Sequence, residues 1–172
     1  MTLVSDHDDT NNPKGGADLP ADQVWEMIKS IDIAMLITHS NEGLRGRPMS
    51  TIPAQEKAVI YILTEASSTA AQEIGTQAEV FLSYQGKGDH VALQGMARVN
   101  PDKGLVKDLW NAGAEAFWPQ GPEEHDVVTL VIEPGHADVW DGPGILRGMA
   151  SIVKGAVTGT SPDLGTRGHS DL

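Results

Sequence analysis

No cysteine occurs among the 172 residues, so a disulfide framework, a thiolate metal site and a thiol nucleophile are all excluded. Positive charge is also in short supply. Twelve Lys and Arg stand against 24 Asp and Glu, a formal net charge of -12, and the average surface therefore repels nucleic-acid backbones and anionic lipid. Neither nucleic acid nor a membrane is an expected partner, and any phosphate must be held locally, against the overall field. No apolar run approaches the roughly 18 residues of a spanning helix. The stretch Met1 to Pro20 carries Asp6, Asp8, Asp9 and Asp18 with neither a basic nor an apolar region, so it reads as neither signal nor transit peptide. A cytoplasmic protein is the expectation.

Several enzyme motifs are missing as well. Gly86-Lys87-Gly88 lacks the third glycine of a dinucleotide loop and sits in a hairpin turn rather than before a helix. His7, His39, His90, His125, His136 and His169 form no i, i+4 pair and no His-Glu-x-x-His run, so a zinc site is not expected. There is no Gly-x-Ser-x-Gly elbow.

What is present has the length of one ordinary domain. Residues 1–18 are polar and rich in Asp, Asn and Gly, and they read as a disordered tail that cannot repay its ordering entropy. A core domain is expected over 19–142, and a C-terminal helix (Ile145 to Val157) and tail over 143–172. A first helix starts with Asp18 as cap and Pro20 in its first turn, and Val24, Ile28 and Ile31 form its inner stripe. A meander follows: Ala34 to Thr38, a turn at Asn41-Glu42-Gly43, Gly46 to Pro53, a polar turn over Gln55 to Lys57, and Val59 to Thr64. Ser67 to Ile74 reads as a short helix with capping-box spacing between Thr69 and Gln72, ended by Gly75. Glu79 to Tyr84 and His90 to Val99 form a strand pair. A helix capped by Asn100 runs toward Pro119, and two last strands, Val127 to Glu133 and His136 to Trp140, are separated by Pro134-Gly135. The fold class is mainly β with some α: six or seven antiparallel strands and short flanking helices, for which a small barrel removes sheet edges.

One constellation has the parts of a phosphate site. Arg45 and Arg47 lie in Gly43-Leu44-Arg45-Gly46-Arg47-Pro48-Met49-Ser50, and Ser67-Ser68-Thr69 opens a helix shortly afterwards. Arginine gives bidentate, charge-assisted bonds, and a helix N-terminus offers free N–H groups. The same residues fit a plain alternative equally well, in which the hydroxyls only cap the helix and the arginines are solvated.

The order Arg47-Pro48-Met49, Ser68 with Glu73-Ile74, Gln94-Gly95-Met96-Ala97-Arg98-Val99, Trp110, Phe117-Trp118-Pro119-Gln120-Gly121-Pro122, Val131-Ile132-Glu133-Pro134 and Ala137-Asp138-Val139-Trp140-Asp141 resembles the general stress protein branch of the pyridoxamine 5'-phosphate oxidase-like FMN-binding split barrels. The resemblance runs from about residue 22 to about residue 165. It implies a split β-barrel, a homodimer with two interfacial FMN sites, and phosphate binding by Arg47 and Ser67 to Thr69. It also lays Pro48, Met49 and Ser50 along the isoalloxazine, with Thr64 near the ribityl-phosphate. His90 occupies the place where related oxidases reach the flavin from the second subunit, and Trp140 lies near the cofactor edge. Trp118 reads as a loop anchor and is left out of the site. The sequence departs from the family's Ser-x-Lys pattern at Ser68-Thr69-Ala70, which removes a phosphate cation and ~1.5–3 kcal/mol with it.

The function so implied is a flavin-dependent oxidoreductase or flavin carrier, in which the cofactor supplies the chemistry. No residue is identified as catalytic. Pyridoxamine phosphate oxidation itself is not expected, because that substrate carries its own phosphate and Arg147 is the candidate cation found for it downstream of Trp140. The alternatives are a dimeric stress-related binding or scaffold protein with weak or no flavin binding, and a split barrel for a deazaflavin or haem.

Overall fold

A computed structural model describes residues 17–86, 88–141 and 166–172. The expected tail before residue 17, the expected helix Ile145 to Val157 and Arg147 lie outside the described residues. In chain order the elements begin with β1 (Ala17–Asp18) and α1 (Ala21–Ser30), followed by β2 (Ile33–Ser40), β3 (Gly43–Ser50), β4 (Ile52–Ala54) and β5 (Val59–Glu65). Next come α2 (Thr69–Ile74), β6 (Ala78–Gln85) and β7 (Asp89–Asn100), then α3 (Lys103–Leu109), α4 (Ala112–Phe117), β8 (Val127–Asp141) and β9 (Thr166–Asp171).

Helix α1 forms where the stripe placed it, with Val24, Trp25 and Ile28 buried. Its N-cap is Pro20, without a side-chain cap bond, because Asp18 is drawn into β1. The β2–β3 hairpin turns at Asn41-Glu42, and Gly43 takes a φ of +113° that glycine adopts without cost. The strands then depart from a meander. β2 pairs with both β3 and β6, while β5 pairs with β4 and with β8.

Nine strands form one sheet, in the order β3-β2-β6-β7-β8 followed by a branch. Along one edge β8 runs antiparallel to β7 from Thr129 to Asp141. Along its other edge it holds β5 opposite Val127 to Ile132 and β9 opposite His136 to Asp141. No ladder joins β3 to β5 among the described residues, so the curled sheet is a split, unclosed barrel. The inner faces of β2, β5, β6, β7 and β8 supply Leu36, Ile62, Leu82, Leu93 and Ile132 to the main core, which α1 and α2 cover. Helix α3 covers the outer side of β5 and β8, where Leu105 and Leu109 pack against Ala54, Tyr61 and Val131.

Three expectations are corrected here. The helix expected after Asn100 is two helices, since Asp102 Oδ1 accepts from Gly104 N–H and caps α3, while Asn111 Oδ1 accepts from Gly113 and Ala114 N–H and opens α4. The last two strands are one, β8, which passes straight through Pro134-Gly135. Proline lacks an N–H for the ladder, and the pairing accommodates it with a register shift between Leu93 and Gly95 on β7. Finally, Thr166–Asp171 is not tail. It is a sheet strand, pairing with β8 on one side and in parallel with β1 on the other.

The bulge has a steric requirement. A Cβ at Gly95 would stand 2.7 Å from the Glu133 carbonyl oxygen, a backbone atom that cannot swing aside. Gly95→Ala is therefore expected to destabilise the fold by about 1–3 kcal/mol, read as a lower urea midpoint at unchanged slope. An unchanged midpoint would show that the strands separate there at no cost.

Candidate functional site

The open seam of the barrel, between β3 and β5, is flanked by α4 and holds a cavity of about 220 Å³. The strand side supplies Pro48, Met49, Ser50, Ile52, Leu63 and Thr64. The helix side supplies Asn111, Gly113, Ala114, Phe117 and Trp118. The structure thus brings together Pro48, Met49, Ser50 and Thr64, four of the residues expected from sequence. Trp118, which also lines the cavity, is anchored as expected: its indole N–H donates to Glu65 Oε1 at 3.3 Å, and its ring lies 5.8 Å from Trp110 and 6.1 Å from Phe117. Asn111, Phe117 and Trp118 were not read as site residues. The signal for them was the Asn111 cap and the two tryptophans eight residues apart.

Register decides where the arginines point. Arg45 pairs with Thr38 and Arg47 with Leu36, so both share the inward face of the β2–β3 ribbon. The Arg47 guanidinium donates through Nη1 to Thr38 Oγ1 and through Nη2 to Glu73 Oε2, at 2.5 Å in the latter case. Thr38 Oγ1 in turn donates to Glu73 Oε2, also at 2.5 Å. Arg47 and Glu73 expose only 17% and 11% of their side chains, so the pair is shielded rather than solvated. Arg45 lies 3.6 Å from Glu73 and 3.1 Å from Glu42. The Thr38 hydrogen bond, followed by the bond and charge of Arg47 and the charge of Arg45, outweighs desolvation and holds the Glu73 carboxyl below its ordinary range.

Ser68 is the cap of α2, its Oγ accepting from Ala71 N–H at 3.2 Å, so the capping function expected of Thr69 falls one residue earlier. Ser67 Oγ donates to Glu65 Oε2 at 3.4 Å, and Gln72 Nε2 to the Ser67 carbonyl at 3.0 Å. Thr69 borders a shallow polar hollow with Arg45 and Glu73. Ala70, where the resemblance places a lysine in other members, is buried in the main core. His90 and Trp140 are directly opposed on β7 and β8, away from the seam and on the outer face of the sheet. They do not line this chain's cavity.

The model of the family described as pyridoxamine 5'-phosphate oxidase like matches residues 20–163. The chain belongs to that family. As a pyridoxamine 5'-phosphate oxidase-like protein it shares its fold with solved structures of low identity. A candidate general stress protein 26 from Jannaschia sp. CCS1 is 21% identical at a TM-score of 0.70, over 88% of this chain and 97% of that one. The general stress FMN/FAD binding protein of Xanthomonas citri is 24% identical at 0.64, over 74% and 92%. General Stress Protein 26 of Bacillus anthracis str. Sterne is 22% identical at 0.56, over 68% and 93%. A search of curated proteins found no match.

The Glu73 cluster gives this family member a defined acid response. A carboxyl held below its unfolded value, about 4.3, contributes stability that is complete above that value and is lost as pH falls through the lower folded value. Glu73→Gln should remove that part of the acid sensitivity. Melting temperatures of the two proteins are then expected to differ most near neutrality and to converge as pH drops below about 4; a constant gap would show that ionised Glu73 adds nothing.

Proposed function

We propose that the chain binds FMN in the seam cavity as a homodimer and acts as a flavin-dependent oxidoreductase or flavin carrier. The observation that carries this is the make-up of the cavity: aliphatic and aromatic walls on two sides, with Ser50, Thr64 and Asn111 as its polar groups. Such walls suit a flat ring system whose edges need a few fixed hydrogen bonds. In this reading Pro48 to Ser50 lie along the isoalloxazine, Thr64 lies toward the ribityl chain, and Arg47 with Ser67 to Thr69 faces the phosphate. Description of the Xanthomonas citri neighbour as FMN/FAD binding supports the same cofactor class.

Among the described residues that line the cavity, none is titratable. In this reading the protein binds, orients and excludes water, and bound flavin would supply hydride or electron transfer.

The dimer has its own support. About 220 Å³ is below the roughly 300–1,000 Å³ of sites that enclose a ligand of this kind, so one chain offers part of a site. Next to it the outer face of the β2–β3 ribbon exposes apolar side chains: Ile33, Met35 and Leu44 keep 59%, 42% and 70% of their surface. Met35 and Ile33 pair with Pro48 and Ser50, which makes that face continuous with the cavity. A second copy seated there would cover the apolar face, complete the cavity and bring in its own His90 and Trp140.

Fluorescence quenching on addition of FMN tests the reading, and a protein that leaves FMN fluorescence unchanged would favour the scaffold alternative, to which the internal pairing of Arg47 lends weight. Trp118→Ala should weaken FMN by ~0.5–1.5 kcal/mol through loss of the aromatic wall. Met35→Glu should halve the mass in light scattering and weaken FMN in parallel. A Met35→Glu monomer that binds FMN as the parent does would remove the interfacial site.

A further inference from the structure

We propose that Glu73 sets how strongly this site distinguishes phosphorylated from unphosphorylated ligands, because its carboxylate occupies the Arg47 guanidinium that a ligand phosphate would need. The proposal rests on the flavin reading of the seam.

Carboxylate and phosphate are the two acceptor groups that match an arginine fork. In this structure the fork is already engaged: Arg47 Nη1 bonds Thr38 Oγ1, Nη2 bonds Glu73 Oε2 at 2.5 Å, and Thr38 Oγ1 bonds the same carboxylate oxygen. Both partners are largely shielded, so breaking the pair leaves each charge without its counter-ion and short of water. The neighbouring cation gives little help, since Arg45 lies between Glu73 and Glu42. Ala70 is buried and brings no cation to α2. The remaining described Lys and Arg side chains with ion pairs, Lys29, Arg98, Lys103 and Lys107, hold carboxylates elsewhere on the fold. A phosphate arriving at this corner therefore meets two arginines and two carboxylates. It competes with the Glu73 carboxylate for the Arg47 charge and for the Thr38 hydroxyl, both of which Glu73 already engages.

An unphosphorylated flavin asks for none of these groups. The exchange thus penalises FMN and leaves riboflavin untouched, compressing the difference between them. Glu73→Gln keeps an acceptor for Thr38 and deletes the charge, so it should tighten FMN about tenfold or more while riboflavin stays within twofold.

The experiment titrates FMN and riboflavin by fluorescence quenching into the parent, Glu73→Gln, Arg47→Ala and the double variant. Glu73→Ala stands in should the glutamine variant fail to fold. The expected result is a larger FMN-to-riboflavin ratio in Glu73→Gln, a collapsed ratio in Arg47→Ala, and no gain from Glu73→Gln once Arg47 is absent. An unchanged ratio in Glu73→Gln, a weaker FMN affinity, or a gain that survives loss of Arg47 would each overturn the proposal. Inorganic phosphate, followed by the NMR shift of the Arg47 side-chain N–H, separates the two readings. Phosphate binding that rises in Glu73→Gln while no variant takes up flavin would sink the flavin reading and keep the role of Glu73. Flavin binding alike in all four proteins would do the reverse.

Discussion

Strand β8 must serve β7 along one edge and two different strands along the other, and the shape of the molecule follows from that division. With β5 on its first half and β9 on its second, the sheet cannot remain a flat ribbon. The β5 branch curls back toward β3 and leaves the seam open between them, while the β9 branch runs on as a separate edge. The point of division is Pro134-Gly135, where no N–H is available from the proline and the β7 partner shifts register to compensate. The seam and its cavity are thus consequences of strand pairing rather than of the residues that line them.

Electrostatics at the seam follows a second constraint. A chain of net charge -12 has few cations to spend, and the two on β3 are placed on its inward face by register, beside α2. Left alone, a shielded guanidinium would be costly. Glu73 and Thr38 satisfy it within the fold, so the corner is stable before any ligand arrives. Under the role proposed for Glu73, stability of the unliganded protein and readiness for an anion are set against each other through one carboxylate.

Much of this was legible in the sequence because it is local. The α1 stripe, the Gly43 hairpin, and the short helix before Gly75 depend on residues a few positions apart, and the structure has them, the helix starting at Thr69 rather than Ser67. Pro134-Gly135 misled because what lets a strand run through proline is a bulge on its partner, 39 positions earlier in the register Gly95↔Pro134. Strand β9, Thr-Arg-Gly-His-Ser-Asp, has no apolar alternation to announce it and exists through main-chain pairing with β8. Pro48 to Ser50 and Thr64, which line the seam cavity, were named through resemblance. The Arg47–Glu73 pair joins residues 26 apart on a strand and a helix, and sequence cannot say which carboxylate a guanidinium will meet until the strand's inward face is known.

The position of β9 bears on how the chain assembles. Ala17 pairs with Gly168 and Asp18 with His169, and Leu19 N–H reaches the His169 carbonyl at 2.9 Å, so this corner joins the two most distant described segments. Contacts of such sequence separation form late and slowly. Until they form, the second half of β8 presents a bare edge of unpaired N–H and C=O groups beside buried Ala137 and Val139, a ready template for another chain. The six residues of β9 therefore close that stretch of the β8 edge by main-chain pairing rather than by burying side chains in the main core.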